Sequence, residues 1–173
     1  MKKILLLAPL VLLLVFVGCK KIDKLLTFNV DVSQSVTIPI ILPGTGPVSA
    51  DPVVTNSANS FRNNKTTTDK VKNVSLDRMT LTITDPAGAN FNFLDKVDVY
   101  ISTNANNKIL LAQQTNVPKE VNTIMLVPTT ARLDEYLKSE TYTLDAIYTS
   151  NKLIARPFTV RSDATFKVTA DPL

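Results

Sequence analysis

From Leu26 onward the apolar residues of this chain fall on alternate positions, and that period of two constrains the fold more than any other feature. Leu26, Phe28, Val30 and Val32 are separated by Thr27, Asn29 and Asp31, and the same parity resumes at Val36, Ile38, Ile40 and Leu42 after the polar step Ser33-Gln34-Ser35. Successive side chains of a strand point to opposite faces, so this pattern is that of a strand with one buried face. It predicts either a hairpin or one long strand that bends between sheets. Pro39 has no N–H for a ladder, which places that part at an edge or a bulge.

The same alternation recurs downstream. Met79, Leu81 and Ile83 mark one strand and Val97, Val99 and Ile101 another, separated by the turn chemistry of Asp85-Pro86-Ala87-Gly88. Further strands are expected over 108–113 and 121–127, with Asn104 to Asn107 as a hairpin turn. Three more are expected in the C-terminal third: Tyr142 to Tyr148, Ile154 to Val160 and Phe166 to Ala170, with turns at Ser150-Asn151 and Ser162-Asp163. Leu133, Tyr136 and Leu137 share a helical spacing behind Thr129 or Thr130, which predicts one short helix over 130–138. A helical turn is expected near Thr68 to Asn73. Short strands with turns every eight to twelve residues or so argue for an all-β fold, a two-sheet antiparallel immunoglobulin-like sandwich, with a closed barrel as the alternative.

Residues 43–68 break the rhythm. Pro43, Gly44, Gly46, Pro47 and Pro52 interrupt any regular element, so a long loop is expected there, either a partner-contacting segment or a passive crossover. Phe91, Phe93 and Leu94 are expected to plug one end of the core.

The N-terminus carries a different signal. Lys2 and Lys3 precede an apolar run from Ile4 to Val17, broken by Pro9, and then Gly18-Cys19. This is the layout of a secretory leader. The run is shorter than the roughly twenty residues needed to cross a bilayer. Phe16-Val17-Gly18-Cys19 resembles the bacterial lipobox, with Phe16 where that motif usually has Leu. The resemblance implies cleavage before Cys19 and lipid on its sulfur, so that residues 1–18 are a signal peptide, 19–25 a lipidated tether and 26–173 a single β-sandwich domain. Two or more acyl chains hold a protein stably on a membrane where one does so marginally. With the alternating strands that end in Thr165 to Ala170, the layout resembles small β-sandwich lipoproteins of Bacteroidota with no assigned activity.

Charge and composition narrow the function. Loss of Lys2 and Lys3 takes the formal net charge from +4 to about +2, and no basic run is interleaved with aromatics, so nucleic acid is a poor partner. Lys20, Lys21 and Lys24 beside the lipid suit anionic head groups. In the lipoproteins it resembles an acidic stretch after the cysteine favours display on the cell exterior, so the resemblance implies that this basic stretch belongs at the periplasmic face of the outer membrane. There is no histidine, which removes Ser-His and Cys-His catalysis and imidazole metal sites, and Cys19 is the only cysteine. No run matches a calcium loop and no glycine-rich phosphate loop is present, so neither a metal nor a cofactor is expected.

Two carboxylates, Asp98 and Asp145, lie on expected strands, but their parity is opposite to that of the apolar residues beside them, so both should face solvent. A carboxylate-dependent glycan hydrolase would need them across a cleft. Tyr142 and Tyr148 share the inward parity, whereas Tyr100 sits on the outward side and is the candidate interface anchor, with cross-strand packing as its other reading. The expected function is a membrane-anchored, non-enzymatic binding or accessory subunit of an envelope assembly. The rival is a carrier of a lipid or glycan, which would require a pocket between the sheets.

Overall fold

The computed structural model describes residues 25–173. The leader, Cys19 and the basic tether lie outside the described residues. The described residues form nine strands: β1 (Leu26–Ile38), β2 (Gly44–Ser49), β3 (Val53–Val54), β4 (Val71–Asp85), β5 (Leu94–Ser102), β6 (Ile109–Gln114), β7 (Thr123–Pro128), β8 (Thr141–Ser150) and β9 (Phe158–Ala170). Two short α-helices accompany them among the described residues, α1 (Ser57–Asn63) and α2 (Asp134–Lys138).

All strand pairs are antiparallel, and the hydrogen-bonded order is β1-β9-β4-β7-β6-β5-β8-β2, with β3 added to β8. Only Ala112↔Pro128 and Gln113↔Val127 pair β6 with β7. The path is therefore two leaves, β1-β9-β4-β7 and β6-β5-β8-β2, joined along one side and curled face to face. This is the all-β antiparallel sandwich that the alternation predicts. Aromatic pairs knit the leaves across the core. Phe93 meets Phe158 edge-on at 5.4 Å between centroids, and Tyr142 meets Phe166 at 6.3 Å. Phe91, Phe93 and Leu94 are all buried and close one end of the core as expected.

Several local expectations are corrected. Ser162-Asp163 is not a turn, because β9 runs unbroken from Phe158 to Ala170 between β1 and β4. Its polar middle is satisfied sideways. Ser33 Oγ donates to Asp163 Oδ1 at 2.7 Å and Arg161 Nε donates to Asp163 Oδ2 at 2.9 Å. For the same reason β1 is one long strand, in unbroken register with β9 from Leu26↔Ala170 to Ile38↔Phe158. Ile154 lies outside β9 and forms only an isolated bridge with Ile41.

Segment 43–68 is not the long loop expected. It holds β2, β3 and α1. Pro47 is tolerated because β2 is an edge strand with one neighbour, where a missing N–H breaks no second ladder. Helix α1 is shorter than any helix that is stable alone. Its anchor is tertiary, since Phe61 is fully buried and meets Phe28 of β1 edge-on at 6.2 Å. Near residue 70 the helical turn is Thr68–Lys70, after which β4 begins.

Candidate functional site

The two free edges, β1 on one leaf and β2 with β3 on the other, run past each other on the side where the leaves are not joined. This seam is closed in three places. Phe61 of α1 packs under it against Phe28, Gln34 Nε2 donates across it to the Asp51 carbonyl at 2.6 Å, and Ile41 and Ile154 exchange backbone hydrogen bonds of 3.0 and 2.9 Å beyond it. Between the Gln34 link and the Ile41 bridge the leaves do not meet. There a half-open cavity of about 90 Å3 lies between the sheets.

Its lining is almost wholly aliphatic and aromatic. Val36 and Ile38 of β1, Val48 of β2, Met79 and Leu81 of β4, Val97 and Val99 of β5, and Phe158 and Val160 of β9 all face it. The gap exists because β2 is poor in inward side chains. Gly44, Gly46 and Val48 occupy its inward positions, opposite Ser150, Tyr148 and Ala146. Tyr148 fills part of this space by lying over Gly46, where a Cβ would sit 2.5 Å from the tyrosine Oη.

Two polar residues interrupt the inward rows. Gln34 and Ser162 face each other in register on β1 and β9, and both line the cavity. Because the Asp51 carbonyl can only accept, the amide nitrogen of Gln34 must point to it, which turns Oε1 the other way. That Oε1 is buried and has no hydrogen-bond partner. A buried amide oxygen left unpaired is unusual and costly. The period of two marked this place only indirectly. The sequence shows the two polar breaks, at Ser33-Gln34-Ser35 and at Ser162-Asp163, but read along the chain each looks like a bend or a turn. Their meeting at one level of the sheet is the signal, and it needs the register of β1 on β9.

Tyr100, Asp98 and Asp145, singled out from the sequence, project from the outer face of the second leaf, and Asp145 also borders the cavity. Tyr100 is half-buried, paired with Asp145 of β8 and Leu110 of β6. Asp98 pairs with Ile147, so Asp98 and Asp145 are diagonal neighbours, about 7–8 Å apart at standard sheet spacing. Each has its own lysine: Lys96 Nζ to Asp98 at 2.7 Å and Lys108 Nζ to Asp145 at 2.5 Å. Asp98 points outward as its parity requires, yet it is only 9% exposed, flanked in the sheet by Ile147 and Gln113. Hydrogen bonds from Lys108 and then Ser49 hold the Asp145 carboxyl below its ordinary range. Asp145 is thus ionised at neutral pH and cannot be the proton donor of an acid and base pair. Tyr142 and Tyr148 are buried on the inward side as expected, and burial pushes the Tyr142 hydroxyl well up.

Among the described residues no group of three or more acidic or cysteine side chains is placed to hold a metal ion, and no helix is long and apolar enough to cross a membrane.

No family model matches this chain, and no curated protein does. Solved structures with some likeness include a decameric BFDV capsid protein, 7% identical over 85% of this chain and 99% of that one, with a TM-score of 0.43. Desmodium yellow mottle tymovirus is 9% identical over 86% of this chain and 90% of that one, with a TM-score of 0.31. A structure reported for the promiscuous specificity of carbohydrate-binding modules from the β-sandwich superfamily is 12% identical over 88% of this chain and 57% of that one, also at 0.31. Likenesses this remote carry no function to this chain.

Proposed function

We propose that this chain is a lipoprotein tethered through Cys19 at the periplasmic face of the outer membrane, where it serves as a non-enzymatic binding subunit of an envelope protein assembly. The observation that carries this reading is the free edge of β1. Natural sheets blunt their edges with lysine, proline, bulges or short strands, because an unpaired row of N–H and C=O groups recruits other strands. β1 uses none of these devices. Its 13 residues contain no lysine and no proline, and its register with β9 has no bulge. At about 3.3 Å per residue the strand is roughly 40 Å long, and its edge is open except where α1 and the Asp51 segment close the seam. The edge starts directly after the tether, so a partner in the same membrane meets it first. Such a partner would add an extended strand, with main-chain hydrogen bonds supplying affinity. Tyr100 lies on the outer face of the other leaf and is a secondary contact at most in this arrangement.

The test is affinity purification of the tagged chain from its own envelope in mild detergent, with mass spectrometry of what accompanies it. A stoichiometric envelope protein is expected. It should be lost with Cys19→Ala and reduced at least tenfold by Asn29→Lys with Ser35→Lys, two exposed edge positions where lysine blunts strand addition. Recovery of the chain alone, or a partner indifferent to the edge lysines, would refute the reading.

A further inference from the structure

We propose that the cavity between the sheets is a binding site for the end of an unbranched aliphatic chain that carries an uncharged hydrogen-bond donor, such as a hydroxyl group. The site is independent of strand addition at β1.

Three features define the ligand. The first is size. An apolar cavity of about 150 Å3 admits benzene, and a water-sized group occupies roughly 30 Å3. At about 90 Å3 the present cavity is well below that size and favours a narrow aliphatic tail over an aromatic ring. The second is the lining, which offers apolar walls on both leaves and contains no lysine or arginine. An anionic head would be desolvated here with no cation beside it, so a carboxylate is disfavoured. Lys152 and Arg156 line a separate, more polar hollow that shares Phe93 and Phe158 as its boundary with the cavity. The third is Gln34 Oε1, a buried acceptor without a partner at the rim where the seam opens. Oε1 is covered from water in the free protein, so the Gln34 side chain turns toward the opening to meet a donor on the ligand while the tail enters past Val36 and Val48. A neutral donor next to a short straight tail meets all three conditions.

The chain carries its own reporters. Of its three methionines, Met79 is buried and lines the cavity, whereas Met125 on the outer face of β7 is 62% exposed. The full chain in phosphatidylcholine nanodiscs, labelled with 13C at the methionine methyls, is titrated with n-alkanols from ethanol to octanol. Saturable movement of the Met79 methyl is expected while Met125 stays still. Affinity should rise roughly fourfold per added carbon, as each buried methylene contributes, and level off once the cavity is filled. Partition into the bilayer would continue to climb instead.

Two isomers isolate the donor. 1-Pentanol should bind at least fivefold more tightly than methyl butyl ether, which has the same atoms and no O–H, and Gln34→Leu should abolish that preference. Ala146→Ile, which places a larger side chain at the lining, should remove the Met79 response and leave the Met125 signal in place. An unmoved Met79, a Met79 that moves in step with Met125, or a response that survives Ala146→Ile would overturn the site. Equal binding of the isomers in the native chain, or tighter binding of pentanoate, would overturn the assignment of its ligand. None of these outcomes bears on whether a protein partner pairs with β1.

Discussion

Replacing Gln34 with leucine sets two opposed effects against each other. The native side chain makes one hydrogen bond, from Nε2 to the Asp51 carbonyl at 2.6 Å, at an exposed point of the seam. Such a bond contributes about 1 kcal/mol net, and the carbonyl left behind can be hydrated, so its loss stays near that figure. Against it stands Oε1, buried without a partner, whose removal recovers about 1–3 kcal/mol of desolvation. Leucine also restores the inward apolar row between Val32 and Val36 and faces a cavity with room for it. The balance favours the variant by about 1 kcal/mol. For a chain of this length that corresponds to a rise of about 2–4 °C in Tm. Urea unfolding of the full chain in mild detergent, followed by far-ultraviolet circular dichroism, would read this as a higher midpoint at unchanged slope. A variant destabilised by more than about 0.5 kcal/mol would refute the reasoning. It would mean that the Asp51 link holds the seam together, or that Oε1 is satisfied in solution.

Three further outcomes are expected. Phe93→Ala removes a buried ring that touches Phe91 and Phe158 and should cost about 3–5 kcal/mol in the same unfolding assay. Gly46→Ala forces its new methyl against the Tyr148 ring and should cost about 1–2 kcal/mol, visible as a lowered midpoint with a shifted tyrosine near-ultraviolet spectrum. Asp145 is held below its ordinary range by Lys108 and then Ser49, so its contribution is present in full above the unfolded carboxyl pKa, about 4, and is lost as pH falls through the lower folded value. The pair is partly solvated, so Asp145→Asn should lower stability at pH 7 by no more than about 1 kcal/mol and flatten the acid limb of a stability profile below about pH 4. An unchanged acid limb would show that the pair is silent.

The alternation of apolar residues was enough to determine the class of fold, because period two commits each strand to one buried face whatever its neighbours are. It also placed Asp98, Tyr100 and Asp145 on the outer side, while Phe91, Phe93 and Leu94 read as a plug of the core from their apolar clustering alone. Pairing is another matter. Whether Ser162-Asp163 turns the chain or sits inside a strand depends on partners far away in sequence. Ser33 and Arg161 satisfy Asp163 only once β1 lies beside β9. Helix α1 has too few residues to form alone and exists because Phe61 is buried against Phe28. The candidate cavity follows the same logic. Gly46 reads as a chain breaker and Gln34 as a polar bend until β1 and β2 become the facing edges of one seam, and there the missing side chain becomes space and the extra amide becomes an unpaired acceptor. Local pattern is enough to decide which face of a strand is buried, because that depends on the strand's own side chains. What two strands leave open between them depends on both at once, and only the tertiary structure brings them together.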